Sequence, residues 1–287
     1  SVRPLYFVAV ACVANVILDV VFVAGFHLGA SGTALATVIS QGLSMFLGIA
    51  YLKRHAFLFD FKPASFRIAR PMAKELARVG IPISFQELMV RISFLYLTAV
   101  MNGCGVYAAA VVGIGAKYDV FSMLSATSVA NALAALTAQN MGAGKPARAW
   151  RSLWYGLAFA LGAAFVFWTW AQWNPESMIR LFSDDPGVIA AGVPYFRACS
   201  YDYLMVAFVF CLNGYLNGRS KTLWTMVSCT CGALFLRIPL VWYVGNHFAQ
   251  DLGMLGTVAP VVSGMMAAYT LLYVLWEGRK QRVFRGD

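Results

Sequence analysis

Eight tracts of about twenty or more mostly apolar residues, parted by short polar breaks, make up most of this 287-residue chain. At 1.5 Å of rise per residue, a helix of that length crosses the ~30 Å hydrocarbon core of a bilayer. Inside lipid every backbone N–H and C=O must be satisfied within the segment, so such tracts fold as helices. The pattern places them at 4–26, 30–52, 79–101, 107–138, 150–172, 188–215, 222–245 and 252–276. The expected fold class is therefore an all-α membrane protein, a polytopic helical bundle. Composition argues the same way: 60% of residues are hydrophobic and 12% charged, against roughly 45–50% and about 25% in a soluble domain. Too little polar surface remains to cover a water-soluble globule. A soluble enzyme, a secreted domain and a disordered chain are excluded.

The formal charge of +10 does not point to nucleic acid, because the bases are sorted by topology. With residue 1 on the cytoplasmic side, the inner segments hold seventeen Lys and Arg. These are Arg3, seven from Lys53 to Arg78, Lys145, Arg148, Arg151, Arg219, Lys221, Arg279, Lys280, Arg282 and Arg285, while the outer loops hold Arg180 alone. This bias sets the orientation, with a cytoplasmic C-terminus, and adds attraction to anionic lipid headgroups. Membrane lipids are thus an expected partner and nucleic acid is not. The one long connection, 53–78, carries Phe57, Phe59, Phe61 and Phe66 among Lys62, Arg67, Arg70 and Lys74. It reads either as an interfacial helix on the inner leaflet or as a plain linker, and it marks a boundary between two lobes. A basic tail, 277–287, closes the chain.

Nothing in the sequence suggests catalysis, a metal or a cofactor. Cys12, Cys104, Cys199, Cys211, Cys229 and Cys231 form no CxxC pair, and His27, His55 and His247 are the only histidines. The cysteines read as small core hydrophobes. Gly142-Ala-Gly-Lys145 lacks the rest of a phosphate loop and reads as a tight inner turn. Asp184-Asp185, the only adjacent acidic pair, stands in an outer loop without further ligands.

An internal repeat relates Leu28-Gly29-Ala30-Ser31-Gly32-Thr33 to Leu252-Gly253-Met254-Leu255-Gly256-Thr257, an offset of 224 residues that also pairs Val38 with Val262. Both copies lie where one span ends outside and the next begins, in the same direction through the membrane. Parallel repeats of this kind are a known transporter design. The offset predicts four further spans before Ser1, twelve in all. Residues 1–52 would then be the last two helices of a first lobe, and 79–276 the six helices of a second.

Ionisable groups inside spans cost about 2.5–3.5 kcal/mol each at the helix centre and call for a reason. Asp19 is the only charge within the first two spans, and Asn15, four residues earlier, shares its helix face. Thr37 on the next span adds a hydroxyl. A carboxylate, an amide oxygen and a hydroxyl suit Na+, and the same set suits a proton, since desolvation favours a neutral carboxyl. The alternative is a protonated Asp19 in a plain helix–helix hydrogen bond. The second lobe carries Glu87, Asp119 and Asp202 with Arg91, Lys117, Arg197 and Arg237. Glu87 and Arg91 are four apart and can pair along one face; Lys117 and Asp119 need partners on other helices. Arg237, ahead of Pro239, reads as a structural anchor.

Several motifs in order give the chain a wider resemblance. They are Asn15-x3-Asp19, Leu28-Gly-x-x-Gly-Thr, Ala36-Thr37-x-x-Ser40-Gln41, Gly80-Ile-Pro82-Ile-Ser-Phe-Gln86-Glu87 and Val112-Gly-Ile-Gly-x-Lys117. Further on come Ala138-Gln-Asn140-x-Gly-Ala-Gly-Lys145-x-x-Arg148-Ala, Asp202, Asn213-Gly214, Asn217-Gly218 and Arg237-Ile-Pro239-Leu. Over nearly its whole length the chain resembles bacterial multidrug and toxic compound extrusion (MATE) transporters, from their fifth span to the end. The resemblance implies a twelve-helix, two-lobe fold with a central drug cavity, and a place in the plasma (inner) membrane. It implies secondary antiport: export of lipophilic or cationic drugs in exchange for H+ or Na+, with a small organic cation as cargo. It matches Asn15, Asp19 and Thr37 to a cation-coupling site whose further acidic partner lies on an absent first span. It matches Asp202 to an acidic position in the drug cavity; Gln86, Glu87 and Arg91 are further candidate cavity positions, with Arg91 a departure from the small or polar residue usual in related sequences. Asp202 would then face a cation or pair with Arg197. The alternatives are a lipid-linked oligosaccharide flippase of the same superfold, or an incomplete fragment that transports nothing.

Overall fold

The computed structural model describes residues 2–54, 69–248 and 251–280. Every regular element among them is helical: α1 (Val2–Val20), α2 (Gly29–Arg54), α3 (Arg70–Gly103), α4 (Val106–Gly142), α5 (Pro146–Trp173), α6 (Pro175–Arg180), α7 (Pro186–Cys199), α8 (Tyr201–Gly218), α9 (Thr222–Cys231), α10 (Ile238–His247) and α11 (Leu252–Lys280). π-helical turns lie at Val21–Gly25 and Gly232–Arg237. Among the described residues eight helical stretches are long and apolar enough to span a bilayer, and the chain is a multi-pass membrane protein. The helices outrun the apolar tracts. α3 begins at Arg70 rather than 79 and α4 runs to Gly142 rather than 138, because Lys, Glu, Arg and Ala sustain a helix beyond the hydrocarbon edge. Phe57, Phe59, Phe61, Lys62, Phe66 and Arg67 lie outside the described residues, as does the tail beyond Lys280.

The chain divides into two compact units, Ser1–Ala73 and Lys74–Asp287. In the first, α1 packs against α2. The reversal between them uses two left-handed residues, His27 (φ 53°) and Gly29 (φ 55°), the second supplied without steric cost by glycine. A Cβ on Gly32 would stand 3.1 Å from the Cβ atoms of both Phe22 and Leu28. Its repeat partner Gly256 has another reason to lack a side chain: a Cβ there would lie 2.8 Å from the Tyr195 carbonyl oxygen of α7.

The second unit is centred on α4 and α8, whose seam is built from small residues. Gly214 and Gly218 of α8 rest against Ala130 and Ala134 of α4, with a Gly218 Cβ placed 2.5 Å from the Ala134 carbonyl oxygen. This G-x-x-x-G contact brings two backbones together where no hydrophobic driving force separates protein from lipid. Near the N-terminal end of α4, Tyr118 is a hub. Its hydroxyl donates to the Met178 carbonyl at 2.9 Å, and its ring meets Trp170, Phe182 and Phe196 edge-on. At the opposite end of the unit Glu277 of α11 is buried against Arg219 and Lys221 of the α8–α9 turn, each at 3.5 Å. Cys199, Cys211 and Cys229 fit the core reading, whereas Cys12 and Cys231 lie on exposed helix faces.

Two departures from straight helix shape the interior. The sixth span breaks at Ser200, between α7 and α8. There the Gln172 side chain of α5 donates to the Arg197 carbonyl and to Ser200 Oγ at 2.8 and 2.9 Å, holding the break open. The second is the π turn Gly232–Arg237. Gly232 packs against the Met266 side chain of α11, where a Cβ would collide with its sulfur.

Candidate functional site

Both departures deliver charge to one place. Asp202 follows the Ser200 break as the second residue of α8, and Arg237 is the last residue of the π turn. Both are buried, 3% and 5% exposed. Arg237 donates from Nη1 to Ser93 Oγ of α3 at 3.3 Å, and its guanidinium lies 4.1 Å from the Phe94 ring centroid, a cation–π contact. It interacts electrostatically with Asp202 and with Asp119 of α4, and the two carboxyls sense one another. Ser263 of α11 presents its hydroxyl to Asp202, and Tyr195, Cys199 and Tyr203 complete the surroundings.

The cluster is not closed. No Arg237 nitrogen comes within 4.0 Å of either carboxylate, and Asp202 Oδ1 and Arg237 Nε are buried without a hydrogen-bond partner. Two carboxylates against one guanidinium leave an excess of one negative charge where charge is expensive. Chemically, this arrangement can take up one proton or one small cation.

The remaining positions are spread more widely. Arg197 is exposed and does not pair with Asp202; the counter-cation is Arg237, brought in by the π turn from 35 residues farther along the chain. Arg237 therefore does more than anchor its helix. Glu87 and Arg91 are both exposed and form no ion pair among the described residues, so the expected pairing along α3 is absent. Gln86, one residue earlier, is buried with Oε1 unpartnered. Lys117 points its ammonium at the Phe182 ring, 4.3 Å from the centroid. In the first unit Asn15 and Asp19 are half-buried on α1, the latter two residues ahead of the π turn Val21–Gly25. Asn15 Nδ2 and Asp19 Oδ1 are buried without partners. Thr37 is exposed and donates back to the Thr33 carbonyl at 2.9 Å, which leaves its oxygen lone pairs available. Among the described residues no three His, Cys, Asp or Glu side chains gather as a metal-ligand set.

The meeting of Asp119, Asp202 and Arg237 was missed by sequence reasoning. The available signal was that all three are intramembrane charges without a partner on their own helix, but nothing local says that they find one another.

Comparisons with known proteins agree with this architecture. The family model MatE matches residues 82–243. The probable multidrug resistance protein YpnP of Bacillus subtilis is 27% identical over 83% of the chain, and 53% of that relative is covered. A FAD transporter of Shewanella oneidensis is 26% identical over 83% of the chain and 53% of the relative. The probable multidrug resistance protein NorM of Thermotoga maritima is 24% identical over 92% and 58%. The chain thus spans about half the length of these curated relatives. Among solved structures, an outward-facing multidrug resistance MATE family transporter of the MOP superfamily superposes with a TM-score of 0.84 at 16% identity, covering 96% of this chain and 62% of its own. A MOP superfamily transporter from Pyrococcus furiosus, described as having a binding pocket of reverse polarity, gives 0.83 at 18%, covering 96% and 61%. A helical bundle of this shape, with the family's pattern running through more than half its residues, belongs to the MatE family.

Proposed function

We propose that the chain is the C-terminal portion of a twelve-helix secondary antiporter that exports organic cations or drugs in exchange for H+ or Na+. It would sit in the plasma membrane of a bacterium, with its basic loops and C-terminus in the cytoplasm, and four helices of the first lobe would precede Ser1. Family membership and the multidrug names of several relatives support the transport class. The observation that carries ion coupling is Asp202, a buried carboxyl with an unpartnered oxygen in a cluster short of one positive charge. A second such carboxyl, Asp19, stands in the first unit. Groups of this kind persist inside a membrane when binding and releasing a cation is their task. A potential of 100 mV acts on each exchanged charge with about 2.3 kcal/mol, which sustains roughly a fiftyfold concentration ratio. A cargo as anionic as FAD, or a lipid pyrophosphate, would need an interior richer in bases than Arg237 against Asp119 and Asp202.

The test is exchange in vesicles carrying the complete transporter. With Asp202→Asn, addition of a cationic dye should no longer move protons or Na+, and dye export should fall about tenfold or more. With Asp19→Asn, ion-driven export should be lost while dye binding survives. Normal export and normal ion exchange in both variants would sink the proposal.

A further inference from the structure

Side chains on α8, α9 and α11 form a ladder of hydroxyls and amides inside the second unit. At its inner end lies the buried Glu277 with Arg219 and Lys221. One turn deeper, Thr225 Oγ1 donates to Asn217 Oδ1 at 2.8 Å. Deeper still, Ser228 Oγ donates to the Tyr269 hydroxyl at 3.0 Å and stands 3.2 Å from Thr270 Oγ1, while Tyr269 donates back to the Ser228 carbonyl. Ser228 and Thr270 are fully buried. In an all-apolar core such groups would be liabilities; here each rung is partnered within itself, and Thr225 and Ser228 set successive rungs about one helical turn apart on α9.

The ladder stops one step short of the charge cluster. On α11, Ser263, Met266 and Thr270 fall at i, i+3 and i+7, a single helix face. Ser263 lies beside Asp202, and Thr270 stands 3.2 Å from Ser228. Between them, about 10 Å of helix is occupied by Met266, whose thioether packs on Gly232, the first residue of the π turn that delivers Arg237. A gap of that length exceeds one hydrogen bond and takes two or three waters to cross. Met is unbranched and polarizable, the side chain best able to swing aside and return.

We infer that this ladder is an inward exit path for the coupling proton, running from Asp202 to the Glu277 end of the unit, with Met266 seated on Gly232 as its gate. The inference rests on the reading of Asp202 as an ion-coupling carboxyl. It gives the proton a route inward through one unit, separate from the route by which cargo leaves. It also gives the glycine a role: any side chain at 232 would push the thioether off its seat.

The experiment reads proton flux without cargo, in proteoliposomes of the full chain that trap a pH-sensitive dye under an imposed potential. Met266→Ala is expected to raise the flux about tenfold over the native chain. Met266→Leu, which keeps the bulk, should stay at the native level. Adding Ser228→Ala and Thr270→Val to Met266→Ala should return the flux to native, because the ladder is then broken below the gate. A Met266→Ala chain as tight as native, or a leak indifferent to the Ser228 and Thr270 changes, overturns the path. Cargo-driven exchange, measured in the same vesicles, separates the two readings. Its absence alongside a ladder-dependent leak removes antiport and leaves the path; its presence with no such leak removes the path and leaves antiport.

Discussion

Replacing Gly214 with alanine tests how tightly the second unit is built. The new Cβ would stand 3.0 Å from the Cα and the carbonyl carbon of Ala130, and closer still to its oxygen. Ordinary contacts between carbon atoms lie at about 3.5–4.0 Å, and the atoms in the way are backbone, with no rotamer to yield. α4 and α8 must therefore part by roughly 0.5–1 Å, an overpacking whose usual cost is about 1–3 kcal/mol. Alanine returns about 0.5–1 kcal/mol through its better helix propensity, so the net loss expected is ~1–2 kcal/mol. Gly162 of α5 is the control: nothing lies within 4 Å of a Cβ there, and Gly162→Ala should stabilise by about 0.5–1 kcal/mol. Detergent-titrated unfolding in mixed micelles, followed by tryptophan fluorescence, should move the two midpoints in opposite directions. If both substitutions shift the midpoint equally and with one sign, the α4–α8 seam is not a backbone contact.

Two further outcomes follow from the packing. Glu277→Gln removes the carboxylate from two bases while leaving Arg219, 3% exposed, in place. Breaking a buried pair in this way costs about 3–5 kcal/mol, and hydrogen exchange at the α8–α9 turn should quicken while that of α5 stays unchanged. Tyr118→Phe keeps the three ring contacts and loses the bond to the Met178 carbonyl, a cost of ~1 kcal/mol; a change under 0.3 kcal/mol in the same unfolding assay would show that the hydroxyl contributes nothing.

The spans were legible in the sequence because bilayer thickness acts on length and apolarity, which are read residue by residue. Their ends were less so, since Arg70 to Arg78 break the apolar run with four charges yet, past Pro71 in the first turn, are good helix formers. The short α6 carried its own signal, Asn174 ahead of Pro175, with the asparagine side chain accepting from the Ser177 amide at 3.1 Å. Asn213-Gly214 and Asn217-Gly218 stood out in the sequence as motifs without a reason. The structure supplies one: the glycines lie on α4, and Asn217 joins the ladder. What the sequence could not disclose is side-chain meeting at long range. Ser93 and Arg237 are 144 residues apart, and no local pattern brings them together. Neither π turn has a compositional mark, so the rotation that aims Arg237 inward was invisible.

That rotation bears on how such proteins diverge. A π turn holds one more residue than regular winding requires. Deleting a single residue anywhere in 232–237 would restore ordinary pitch; the helix on either side would keep its facing, and the change would fall on the backbone of the turn itself, which ends at Arg237. The seat of the guanidinium beside Ser93 and Phe94 would be reset locally, with no charged residue replaced. The charge environment of this buried cluster can therefore change through an indel as readily as through a substitution, and columns of aligned residues would not record it.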